Sequence, residues 1–212
     1  MHKVVGIFAD RWTPEYLSEL SEDERGEVLC ECLGEGVAPS IRAVLHAGPT
    51  ENCLLAAKPV VERSLFDVVR ALGMDLFVVA GVMDEVRGSI VWEHARRRGI
   101  RRVIVMVDAD PIAMAAAATW IAGISTDCEV DVRWPMATML TEGAPQSALI
   151  SLAGWEKRVV QSLAEHELAT LGAQGWGSIV ELWQRGYKVE VDAFVLWHEA
   201  WVERVLRDAC QR

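Results

Sequence analysis

Leu76-Phe77-Val78-Val79-Ala80, leading into Gly81, and Val103-Ile104-Val105-Met106-Val107, leading into Asp108, are two apolar runs without a polar face. Each is too short for a buried helix and has the pattern of a strand covered on both sides. Between them a helical stretch from about Glu85 to Arg98 stops at Gly99. After them Asp110-Pro111 opens an alanine-rich helix to Gly123, an acid cap followed by proline at the first helical position. Strand, helix, strand, helix in that order predicts a parallel sheet.

The same grammar extends in both directions. Ile41 to His46 and Cys53 to Ala57 are short apolar runs bounded by Pro39 and by Gly48-Pro49, so both read as buried strands. Ser64 and Asp67 have capping-box spacing at the start of a helix to Gly73. Val4 to Ala9, closed by Asp10, is expected to be the first strand. Thr13-Pro14 then starts a helix to about Leu33, and Glu129 to Arg133 is a last, weaker strand. The predicted fold class is α/β: a doubly wound, mostly parallel sheet of about six strands, three-layered and Rossmann-like, over residues 1–135. Beyond Pro135 three apolar-periodic segments remain, Ala148 to Leu171, Ile179 to Arg185 and Val191 to Cys210. Residues 136–212 are therefore expected to form a helical extension packed on the core or on another subunit.

Composition narrows the partners. The 212 residues are 51% hydrophobic and 25% charged, ample for a core, and the net charge of -10 opposes phosphate backbones and anionic lipid heads. Neither nucleic acid nor membrane is expected, and a cytoplasmic location is. Five scattered cysteines predict reduced thiols. No phosphate-binding glycine motif follows a strand, and the five histidines share no metal-ligand spacing, so neither cofactor nor metal is expected. Cys30 and Cys32 point apart on a helix. Arg96, Arg97, Arg98, Arg101 and Arg102 cluster at a helix C-terminus, where cations complement the dipole.

In parallel sheets a ligand site lies outside the carboxyl ends of the strands. That rule selects Asp10, His46, Lys58, the turn from Gly81 to Arg87, Asp108 and Trp134. Asp10 and Lys58 on one rim would pair and shift each other's pKa.

Lys58-Pro59, Ser64-Leu65-Phe66, the run from Leu76 to Val82, Ala95, Gly99 and the run from Val103 to Ala109 together resemble the central part of the isochorismatase-like (cysteine hydrolase) family. The resemblance implies a six-stranded parallel sheet, frequent oligomers and cleavage of amide, ester or vinyl-ether bonds in small metabolites. It also implies a catalytic Asp after the first strand, matched by Asp10, and a catalytic Lys after the third, matched by Lys58. The family's nucleophilic cysteine opens the helix after the fourth strand. Here Gly81-Val82-Met83-Asp84-Glu85-Val86-Arg87 puts Arg87 in its place. A guanidinium stays protonated and cannot attack a carbonyl, and at a helix N-terminus it needs an anion. Asp10 would make that anion an internal plug; a ligand carboxylate or phosphate would make Arg87 a binding residue. Cys53 and Cys128 lie near strand starts, the wrong end for a relocated nucleophile.

The expected function is binding of a small anionic metabolite by Asp10, Lys58 and Arg87, with Gly81, Asp108 and His46 on the same rim. One alternative is a hydrolase of small amides or esters in which Asp10 activates water. The other is a scaffold whose pocket is plugged. Of the nine tryptophans, Trp155, Trp176, Trp183, Trp197 and Trp201 lie in the extension, which predicts a homo-oligomer.

Overall fold

The computed structural model describes residues 7, 18–23, 25, 40–44, 49–57, 59–80, 93–122, 130–193 and 199–211. In chain order the first part holds β1 (Ser40–Val44), β2 (Asn52–Ala57), α1 (Pro59–Ala71), β3 (Asp75–Ala80), a helical stretch over 93–98, β4 (Arg102–Met106), α2 (Pro111–Ala122) and β5 (Asp131–Arg133). Leu54, Leu55 and Ala56 of β2 and Val103 to Met106 of β4 are buried, as strands without a polar face require.

The protein is mixed α/β. Its main sheet has the order β1-β3-β2-β4-β5, in which β3, β2, β4 and β5 run parallel. Ala56 of β2 stands opposite Val78 of β3 and opposite Met106 of β4. From β2 the chain steps outward to β3, then returns past β2 to place β4 on its other side. That reversal makes the carboxyl ends of β2 and β4 a topological switch point. α1 packs on β2 and β3. α2 is apolar all round, and Ile112, Met114, Ala117, Ala118 and Ile121 are buried.

Several expectations change. The described residues form five strands in the main sheet, where about six were expected, and β1 pairs with β3 antiparallel. A short apolar run reports burial but not direction, and an antiparallel edge strand on a parallel sheet is common. Ile7, the described residue of the run 4–9, is helical and buried, so the strand expected there is absent at that residue. Six apolar residues satisfy a buried helix as well as a buried strand. α1 starts at Pro59 rather than Ser64, the proline being preset for a first helical turn.

The second part was expected to be three helices. It contains α3 (Pro135–Thr141), a 3-10 turn (Gln146–Ala148), β6 (Ile150–Ser151), α4 (Gly154–Gln161), α5 (Glu165–Leu171), α6 (Gly177–Gln184), β7 (Tyr187–Lys188) and α7 (Glu199–Gln211). β6 and β7 pair antiparallel. The expected helix from Ala148 to Leu171 is divided because Glu156 and Glu167 turn back to accept the amides of Ala153 and Ala164, at 2.6 and 2.7 Å, and so start two separate helices. No Gly or Pro marks that break. Gly186, by contrast, ends α6 at φ +83°, a conformation that favours glycine.

Trp155, Trp176 and Trp183 are buried within the chain. Trp176 stands edge-on to Trp134 at 5.0 Å and to Trp183 at 6.3 Å between ring centroids. Val191, Val202 and Val205 of the expected apolar stripe are buried too, and α7 packs on α3 and β4. Phe194, Val195, Trp197 and His198 lie outside the described residues, as does the side chain of Trp201.

Candidate functional site

β4 ends at Met106, and the chain continues through Val107, Asp108, Ala109 and Asp110, all buried, before α2 begins. The segment after α6 lies across this exit. The Asp108 Oδ1 accepts the Val191 amide at 2.8 Å, the Ala109 amide donates to the Val189 carbonyl at 2.8 Å, and the Trp183 indole Nε1 donates to the Ala109 carbonyl at 2.8 Å. These bonds satisfy backbone groups that would otherwise be stranded beneath the fold.

A group of charged side chains is buried with them. Asp110 Oδ1 caps α2, accepting the amides of Ile112 at 2.8 Å and Ala113 at 2.7 Å. Glu156, 1% exposed, receives the Lys188 ammonium at 3.0 Å on its second oxygen. Burial, followed by the adjacent Asp108 charge, pushes the Asp110 carboxyl up to about 7; the Ala113 amide and Lys188 oppose this. Burial pulls the Lys188 ammonium down, but Asp110, Glu156 and Glu190 together outweigh it and raise the group above the usual lysine range. The arrangement can hold or release one proton near neutrality at the carboxyl end of the sheet.

Of the residues singled out from the sequence, Asp108 is described, and its carboxylate anchors the C-terminal segment. Asp10, His46, Lys58, Gly81 and Arg87 lie outside the described residues. β2 ends at Ala57, one residue before Lys58, and β3 ends at Ala80, one residue before Gly81. Trp134, at the exit of β5, is buried beside a small cleft of about 140 Å³ that Arg133, Thr138 and Asp208 also line.

Asp110, Glu156 and Lys188 were missed as a group. Asp110 read simply as a helix cap, and the N-cap position three residues before Glu156 is an alanine, Ala153, which hides the capping role of Glu156. Lys188 sits in a two-residue strand with no periodicity to detect.

At the opposite end of the sheet Cys53 is buried opposite Asp75 in the strand register. Burial, then the Asp75 charge, pushes its thiol far above the usual cysteine range, which removes the thiolate that nucleophilic attack requires. Asp75, 1% exposed, receives His94 Nε2 at 2.9 Å and Arg98 Nε at 3.2 Å, pinning the 93–98 helix to β3. Cys128 lies outside the described residues. Four of the five clustered arginines, all but Arg96, are engaged within the chain. Arg97 meets Glu93, Arg101 meets Glu51, and Arg102 meets Asp131 and the Cys210 carbonyl at the end of α7. Cys53 and Cys210 are free thiols.

Among the described residues no group of three His, Cys, Asp or Glu side chains is placed to hold a metal ion, and no helix is long and apolar enough to cross a membrane. The sequence matches no protein-family model and no curated protein.

Proposed function

We propose that the chain is an isochorismatase-like α/β protein with a doubly wound, three-layer arrangement of about six strands. In this reading it lacks a cysteine nucleophile and binds a small anionic metabolite at the carboxyl edge of the sheet. Lys58 and Arg87 supply the positive charge, Arg87 gripping a carboxylate or phosphate with its planar fork. Asp10 orients the two cations, and Gly81, His46 and Asp108 complete the rim. The observation that carries this reading is the strand order. It puts the switch point between β2 and β4, so the β2 exit preceding Lys58, the neighbouring β3 exit preceding Gly81, and the β4 exit at Asp108 share one edge.

The test is a thermal-shift screen of small carboxylates and their amides on the full chain. A carboxylate should raise the melting temperature, and Arg87→Ala or Lys58→Ala should remove the response. The assignment is overturned when no carboxylate gives a response that is lost in these variants. Turnover of a hit that persists after thiol alkylation would replace binding with a water-using hydrolase.

A second reading, a scaffold, is supported by the segment 183–191 bonded across the β4 exit. It predicts no carboxylate response that depends on Lys58 or Arg87. The homo-oligomer belongs to this reading and rests on Trp197 and Trp201.

A further inference from the structure

A second cleft, of about 580 Å³, opens in the C-terminal part between α4, the start of α5 and the turn joining α6 to β7. That volume is within the range of about 300–1,000 Å³ usual for small-molecule sites. Its lining contains Lys157 and Arg185 and no carboxylate, in a chain with 31 Asp and Glu against 21 Lys and Arg. Among the described residues neither Lys157 nor Arg185 has an ion-pair partner, a condition they share with Arg70 and Arg96, while Arg97, Arg98, Arg101, Arg102, Arg133, Lys188, Arg204 and Arg207 are paired. Both cations line the same cleft. The Lys157 Cε lies 4.0 Å from where a Cβ on Gly186 would stand, so the lysine stem runs against the turn that carries Arg185. Two like charges lining one cleft that has no carboxylate favour an anion.

The rest of the lining is mixed: Ser151, Gln161 and Gln184 are polar, and an apolar part accompanies them. Val160, Leu163 and Leu168 form one wall, and Tyr187 and the buried Trp183 add aromatic surface. Trp183 is buried and held in place by its bond to the Ala109 carbonyl, so it forms a fixed base beneath the cleft and its indole N–H reports on changes there.

We propose that this cleft is a binding site for a small amphipathic organic anion, an aryl or branched-chain carboxylate, whose charged group meets Lys157 and Arg185 and whose apolar body lies along Val160, Leu163 and Leu168. The site is separate from the strand-end crevice and stands without it. Placement of Arg185 at the C-terminus of α6, where a cation complements the helix dipole, accounts for one charge. It does not account for Lys157, in the first half of α4, lining the same cleft.

The test is titration of the full chain with phenylacetate, its neutral amide phenylacetamide, and acetate. The Trp183 indole N–H resonance, assigned by its loss in Trp183→Phe, is the readout. Phenylacetate should shift that resonance saturably, and both phenylacetamide and acetate should bind at least about tenfold more weakly, one lacking the charge and the other the apolar body. Lys157→Gln and Arg185→Gln should each weaken phenylacetate by about threefold to tenfold, and Lys157→Arg should keep most of the binding. Both side chains are exposed, so the variants should melt like the parent. Equal binding of phenylacetamide, or no saturable shift, overturns the proposal. So does a shift abolished by Lys58→Ala and Arg87→Ala but indifferent to Lys157→Gln and Arg185→Gln, which would assign the anion to the strand-end crevice instead.

Discussion

The Asp108 carboxylate accepts the main-chain amide of Val191 at 2.8 Å, joining the exit of the central strand β4 to a residue 83 positions later in the chain. Both partners are buried, so loss of either leaves the other without water to replace it. Asp108→Ala should lower stability by about 1–3 kcal/mol, the usual effect of stranding a buried donor that was bonded to a charged group. Urea denaturation measures the loss, and faster hydrogen exchange at Val191 locates it. Unchanged exchange there would show that the bond does not hold the segment.

Asp110 governs a pH dependence. Its carboxyl is raised from 3.8 to about 7 by burial and by the Asp108 charge, so the folded chain holds this proton more tightly than the unfolded chain. Between those values the folded state binds more protons, and this group's contribution to stability falls as pH rises through the window. Asp110→Asn cannot ionise but keeps an oxygen for the Ile112 and Ala113 amides. Its stability, measured by denaturant melts from pH 4 to pH 8, should therefore fall less with rising pH than that of the parent. Parallel curves would contradict the assigned proton.

How much of this was legible in the sequence differs from residue to residue. The central strands were, because Leu54, Leu55 and Val103 to Met106 are buried on both faces and so carry no polar alternation. Asp110-Pro111 announced α2 through cap chemistry that is local. Strand direction was not legible. β1 and β2 are both short apolar runs, yet one is antiparallel to β3 and the other parallel, a difference made by long-range pairing. The site was legible by position and not by partnership. Asp108 was found by the strand-end rule, but its partner Val191 and the Glu156–Lys188 pair come from distant segments whose spacing in the chain carries no signal.

The Glu156–Lys188 pair, with the acid 1% and the lysine 19% exposed, fastens α4 to β7. Lys188→Met leaves a buried carboxylate without its cation and should cost about 2–4 kcal/mol. Glu156→Gln retains the bond to the Ala153 amide, so the double variant Glu156→Gln with Lys188→Met should be less destabilised than Lys188→Met alone. Additive losses in the denaturation cycle would show that the two groups act independently.

Cys53 should resist iodoacetamide in the folded protein, because it is 1% exposed and its thiol holds its proton far above neutral pH. Peptide mapping after labelling should find Cys53 unmodified until denaturant is added, and Cys210, half-buried near the C-terminus, labelled earlier. Prompt native labelling of Cys53 would reopen it as a nucleophile.

Hydrogen–deuterium exchange of the full chain, with and without a carboxylate whose thermal response is lost in Lys58→Ala, tests the strand-end crevice most directly. Binding there predicts slower exchange in peptides spanning 57–60, 80–88 and 107–110, with that protection lost in Arg87→Ala. Protection confined to peptides between 151 and 187, or unchanged exchange at all three strand exits, would contradict it.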